Sequence, residues 1–256
     1  MERQRSGLTG LLHAASVLAV LLAVWQAVKW QFDPPDFLLP GPADVASVIY
    51  HQFSHIAVNA LITVQEMVLG LVAGSLLGIC LAVLLAGFPV LDRYLMPVVV
   101  TTQTLPVFAI APILVIWFGL GLGSKIVMAA LIIFFPVASA FYDGLKQTPT
   151  AWLDLGKSWG ADRMQLFRHM RLPAALPALM SGLKVAATIA PIGAVVGEWA
   201  GAAGGLGFVM LQANARTQMD VVFAALIVLA FCAWLLRFAV VKLSDRLTWW
   251  AHHAHG

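Results

Sequence analysis

The chain has 256 residues, 61% of them hydrophobic and 11% charged. Soluble domains carry about 25% charged residues, so 12 acidic and 15 basic side chains cannot cover a globule of this size. A mean hydropathy of +0.90 excludes a soluble fold, and most of the chain is expected to face lipid or other apolar helices.

A pI near 9.1 invites a nucleic-acid role. The basic residues instead collect in short segments between apolar stretches, which is a topology signal. Cys80 and Cys232 both fall inside apolar stretches and read as small buried hydrophobes, without disulfide or metal spacing.

A spanning helix needs ~20 mostly apolar residues. Six stretches qualify: 10–30, 60–86, 94–118, 125–142, 174–197 and 221–241. The first follows a cytoplasmic segment, 1–9, that carries Arg3 and Arg5. Its apolar run from Leu11 to Val28 is long for a secretory signal and no small-x-small site follows, so it reads as a retained helix. An extracytoplasmic linker and surface helix, 31–59, comes next. Asp33-Pro34-Pro35-Asp36 through Leu39-Pro40-Gly41-Pro42 is rigid and extended, and Val45, Val48, Ile49 and Phe53 then mark one side of a short amphipathic helix.

The core, 60–246, holds the other five spans. Gly70, Gly74 and Gly78 leave one face of the second span bare and predict close helix packing, within one subunit or across a dimer. Pro97, Pro106 and Pro112 in the third span, and Pro191 in the fifth, predict kinks of the kind found in transporters. With the N-terminus inside, inner segments hold Arg3, Arg5, Arg93, Lys146, Lys157, Arg163, Arg168, Arg171, Lys242 and Arg246. Outer segments and borders hold Lys29, Lys125 and Arg216. Ten against three places both termini in the cytoplasm.

The loop 143–173 between the fourth and fifth spans is the most informative segment. Met164, Phe167 and Met170 recur at spacings of three, Gly160 interrupts the helix, and Pro173 starts the next element. A short amphipathic helix at the cytoplasmic face suits a groove on a soluble partner. The segment resembles the coupling loop of bacterial ABC importer permeases: Glu-Ala-Ala, three residues, Gly, nine residues, Ile, one residue, Leu-Pro. Asp154, Leu155 and Gly156 take the first three places, Gly160 the fourth, Met170 stands for Ile, and Leu172-Pro173 closes the pattern, with Ala161 beside the glycine. The spacing is complete, while Leu155, Gly156 and Met170 depart in residue type. Leu39-Pro40-Gly41-Pro42, Leu105-Pro106, Ile116-Trp117-Phe118-Gly119-Leu120-Gly121 and Gly197-Glu198 through Gly204-Gly205-Leu206-Gly207 are also similar to segments of such permeases, and extend the likeness over roughly 35–245.

The resemblance implies an all-α integral membrane subunit of the type I importer class, with six spans and a cytoplasmic coupling helix, in the bacterial inner membrane. It implies a second copy of the chain, a cytoplasmic ATPase dimer that binds ATP and Mg, and an extracytoplasmic solute-binding protein docking near Gly204–Gly207. The stretches Gly197–Gly201, Leu211–Gln218 and Phe223–Leu226 are similar to permeases for hydroxymethylpyrimidine precursors of thiamine; the wider branch serves taurine, alkanesulfonates and nitrate.

The chain itself carries no catalytic set and no cofactor site. Gly156-Lys157-Ser158 ends like a P-loop, yet Ala151 stands where that loop needs glycine, so ATP hydrolysis falls to the partner. Ionisable residues in spans are functional candidates: Glu66 near the outer end of the second span, Lys184 about ten residues into the fifth, and Glu198 at its outer end. With Gln103 they are the candidates for the translocation path, although interfacial solvation accounts equally for the two glutamates. An ion-coupled secondary transporter would carry mid-membrane carboxylates and inverted repeats, and an intramembrane enzyme would need facing catalytic groups that Glu66, Glu198 and His13 do not form. The tail, 247–256, with His252, His253 and His255, lacks groups to orient a metal.

Overall fold

The structure is a computed structural model that describes residues 2–250, with side chains from Ser16 onward. The tail histidines, and the side chains of Arg3, Arg5 and His13, lie outside the described residues. The chain is helical throughout its described elements: α1 (Glu2–Phe32), α2 (Pro42–His51), α3 (Phe53–Gly87), α4 (Pro89–Thr102), α5 (Val107–Phe118), α6 (Leu122–Lys146), α7 (Thr150–Ser158), α8 (Arg163–Leu166), α9 (Leu172–Gly201), α10 (Leu206–Ala215) and α11 (Met219–Leu247). A π-helical turn, Phe167–Arg171, joins α8 to α9 without a break.

Two compact units divide the chain. The first comprises Met1–Ala57 with Val209–Val228. Here the indole of Trp25 donates to the carbonyl of Pro40 at 3.1 Å and its ring lies 5.5 Å from that of Phe223. Lys29 pairs with Asp36 at 2.7 Å, so the proline-rich linker is tied back to the end of α1. In α2 Val45 is buried and Val48 and Ile49 are half-buried, as the periodicity requires, whereas Phe53 is exposed because the helix breaks at Gln52 and Phe53 begins α3.

The second unit, Val58–Phe208 with Leu229–Gly256, is built around α6. The bare face of α3 lies directly on it: a methyl group on Gly70 would fall 2.4 Å from the Cβ of Ala129, and one on Gly78 would fall 2.6 Å from the Phe134 carbonyl. An adjoining flank of α6 receives α9 by the same device, Ala129 meeting both Gly70 and Gly193. Methyl groups on Gly182 and Gly193 would fall 2.9 Å from the Pro136 carbonyl and 2.7 Å from the Cα of Ala129. Lipid offers no hydrophobic drive for helix association, so close backbone approach through small residues supplies the packing energy. The glycine repeat therefore acts within one subunit.

Among the described residues, four helical stretches are long and apolar enough to cross a membrane: α3, α6, Arg163–Gly201 and α11. The stretch 94–118, expected as one span, is two helices, α4 and α5, bent by 98° across residues 103–106, and counts as a fifth when taken together. Pro106 has no N–H to continue the ladder and restricts the residue before it. Around the break, Thr101, Thr102 and Thr104 hydroxyls donate to the carbonyls of Pro97, Val99 and Thr101. The apolar described part of α1, Ser16–Phe32, is shorter than a full span. Cys80 is exposed and Cys232 half-buried, so neither is the core residue their apolar surroundings suggested; both sit on outward helix faces.

Candidate functional site: a buried polar lock and an exposed helix-turn-helix

Asn59, Thr63 and Glu66 recur at four and three residues along α3, which places them on one helical face. All three are buried. Glu198, three residues before the end of α9, is buried beside them at 1% exposure. Its carboxylate accepts the Thr63 hydroxyl at 2.6 Å, the Gly207 amide, and the Phe208 amide at 3.2 Å. Asn59 accepts the Gly205 amide and Thr63 the Leu206 amide, both at 2.8 Å. Four successive backbone amides, Gly205 to Phe208, thus end on three side chains. These are the orphan donors that open α10, and a carboxylate at that end also suits the helix dipole. Gly205 holds φ of +110°, which an L side chain adopts only with strain, and a Cβ there would strike the Glu198 carboxylate.

Lys125, in the first turn of α6, reaches Glu66 with its ammonium 2.7 Å from Oε1. The contact is an ion pair without good hydrogen-bond alignment, since both Glu66 oxygens lack a hydrogen-bond partner. Two carboxylates and one ammonium therefore share a buried interior, a costly arrangement unless each group holds its neighbours in place. It offers no nucleophile and no general base positioned against one. Among the described residues no three His, Cys, Asp or Glu side chains gather to hold a metal. The cluster fastens the amides of Gly205–Phe208 to α3 and α9, and Lys125 ties α6 to α3 beside them.

At the other end of α6, Asp92 accepts the Tyr142 hydroxyl at 2.5 Å and pairs with Lys146 at 2.7 Å, tying α4 to α6 just before the 143–173 segment. That segment is a helix-turn-helix. α7 ends in a Schellman motif: Gly160, at φ of +80°, donates to the Lys157 carbonyl at 2.9 Å, and Ala161 donates to the Gly156 carbonyl at 3.0 Å. The left-handed backbone is the reason for glycine at 160. Asp162 then caps α8, accepting the Gln165 amide at 2.7 Å while its own amide donates to the Gln165 side chain at 2.9 Å.

Gly156 is buried, and a methyl group there would fall 2.5 Å from Leu166 Cδ2 and 2.8 Å from Met170 Cε. Two of the departures from the pattern, Gly156 for alanine and Met170 for isoleucine, thus touch: the longer thioether occupies the space of the missing methyl. Outward, Trp152, Leu155, Trp159 and Met164 are all exposed, and Asp154 forms an exposed pair with Lys157 at 2.8 Å. Leu172 is half-buried and Pro173 exposed at the start of α9, where Pro173, Trp152 and His169 help line an open cleft.

The residues singled out from sequence thus separate. Glu66 and Glu198 come together inside the subunit, so interfacial solvation does not account for them. Lys184 is half-buried on α9, and Gln103 is exposed at the α4–α5 corner. In the sequence Lys125 stands at a loop border, and Asn59 and Thr63 are not among the candidates. Their spacing with Glu66 on an apolar helix was the available signal.

Residues 54–248 match the family described as the binding-protein-dependent transport system inner membrane component. A probable ABC transporter permease protein of Haemophilus influenzae is 45% identical over 93% of this chain and 98% of its own length. The formylaminopyrimidine transport permease protein ThiX of Halalkalibacterium halodurans is 34% identical over 90% and 92%, and the taurine transport system permease protein TauC of Escherichia coli 33% over 91% and 87%. Among solved structures, a chain of the inward-facing MetNI methionine ABC transporter has the same fold, with a TM-score of 0.68 at 22% identity, covering 77% of this chain and 98% of that one.

Proposed function

The chain belongs to the family of binding-protein-dependent transport inner membrane components, and we propose that it couples ATP hydrolysis on a partner to solute import through the α7–Gly160–α8 segment. It is a multi-pass ABC transporter permease. In the proposed assembly two copies flank a central path, a cytoplasmic ATPase dimer that binds ATP and Mg seats α7 and α8 in a groove, and a solute-binding protein delivers solute on the opposite side. The carrying observation is the exposed apolar face of Trp152, Leu155, Trp159 and Met164 on a helix-turn-helix whose turn is fixed by Gly160. Four large apolar side chains leaving the fold together on short helices suit a partner's groove. ATP binding closes the partner and biases a two-state rocking of the permease.

For the solute we propose a pyrimidine of the thiamine-precursor kind, supported by the 34% likeness to a formylaminopyrimidine permease along nearly its whole length. The taurine permease at 33% keeps the sulfonate reading as its rival. The test is to purify the chain from its native membrane and identify what comes with it. Recovery of an ATPase of the ABC class, and a binding protein that retains a pyrimidine, is expected. A complex without any ATPase overturns the coupling role, and a binding protein loaded with a sulfonate overturns the solute.

A further inference from the structure

Lys184 stands 12 residues after Leu172, the start of α9, and 17 before its end at Gly201. At about 1.5 Å per residue this puts its Cα roughly 10 Å inside a ~30 Å hydrocarbon layer centred on the helix. Gly182 faces α6 at van der Waals range. Two residues later, about 200° round the helix, Lys184 lies on the opposite side. Ser181 and Thr188, both exposed, share that side. Among the described residues no carboxylate lies within ion-pair distance of the Lys184 ammonium.

An ammonium at this depth is costly against lipid and belongs on a wetted or protein-covered surface. Arg237 of α11 sits differently. Its neighbours Trp234 and Phe238 form an aromatic stripe of the lipid-facing kind, ten residues from the helix end. Lys184 has hydroxyl-bearing neighbours one turn away on either side. Glu66 and Glu198, the carboxylates that would offset it in a path, are sealed inside the subunit.

We propose that the Ser181–Lys184–Thr188 face of α9 lines the water-filled translocation path, where the Lys184 charge admits neutral or anionic solutes and holds cationic ones back. The inference rests on the permease reading above and narrows the solute class within it.

The test uses the assembled complex in membrane vesicles, with Cys80 and Cys232 replaced by serine and Thr188→Cys introduced. Two thiosulfonate reagents of similar size serve as probes, one bearing a sulfonate and one a trimethylammonium. Both are expected to label Cys at 188, and the sulfonate reagent is favoured relative to its rate on a free thiol. Adding Lys184→Gln should lower that preference by roughly five- to tenfold, the factor a unit charge one turn away exerts through water on reagents of opposite sign. Lys184→Arg should keep it. A Trp234→Cys control, facing lipid, should label with neither reagent. If Thr188→Cys is as inert as that control, the face does not meet water and the proposal fails. If it labels with the same preference in Lys184→Gln, the charge does not select. Binding-protein-stimulated ATP hydrolysis by the cysteine-free parent is read in the same vesicles. Its absence counts against the permease assembly, while the labelling arms still decide the role of Lys184.

Discussion

Replacing Glu198 by alanine removes the acceptor of the Thr63 hydroxyl and of the Gly207 and Phe208 amides in one step. Each buried donor left without a partner costs about 1–3 kcal/mol. Part of that is offset because Glu66 and Lys125 are left as a neutral pair. A net destabilisation of roughly 3–5 kcal/mol follows, of the size seen when one member of a buried charged cluster is deleted. For a chain of this length that corresponds to a drop of about 10 °C in apparent Tm. Glu198→Gln, which keeps one carbonyl oxygen, should lose less than half as much, and Thr63→Val, which orphans the Leu206 amide and takes one donor from the carboxylate, about 2–4 kcal/mol. The assay is thermal unfolding of the detergent-solubilised complex, paired with hydrogen exchange at residues 205–208. In Glu198→Ala those four amides should exchange at least tenfold faster. An unchanged Tm with unchanged protection would show that the carboxylate does not hold the loop.

Two further outcomes follow from the geometry. Gly156→Ala should cost about 1–2 kcal/mol through overpacking against Leu166 and Met170, and Met170→Ile added to it should recover part of that loss. A double-mutant cycle in thermal stability with zero coupling would refute the compensation. A cysteine at Asn214 should react with an impermeant thiol reagent applied outside sealed cells and one at Arg163 should not; reversed labelling would invert the topology.

Much of the helical framework was legible because spans announce themselves by length and apolarity, and the glycine repeat at 70, 74 and 78 by its four-residue period. The helix-turn-helix within 143–173 was legible because Gly160 interrupts the helix there and Pro173 opens the next element. What the sequence concealed depends on tertiary approach. The 98° corner at 103–106 looked like one apolar stretch, since threonines that bond freed carbonyls read the same as ordinary helix residues. Lys125 counted as a border charge because only folding brings α6 against Glu66. Glu198 reads equally well as solvated or functional in the sequence, because its hydrogen bonds to the Gly207 and Phe208 amides form only in the folded chain. The contact between Gly156 and Met170 crosses a turn that no periodicity encodes.

The central claim is that the α7–Gly160–α8 segment transmits ATP hydrolysis to the membrane path. Gly160 has open space around its Cα, so a side chain there strains the left-handed backbone, by about 1–2 kcal/mol, and projects a new group at the partner. Gly160→Trp should therefore leave the packing of α3, α6 and α9 intact. The measurement is ATP hydrolysis stimulated by the solute-bound binding protein in the reconstituted complex, alongside the amount of mutant chain inserted in the membrane. If the segment couples, insertion is normal and stimulated hydrolysis falls at least tenfold. Normal insertion with undiminished stimulation would contradict it.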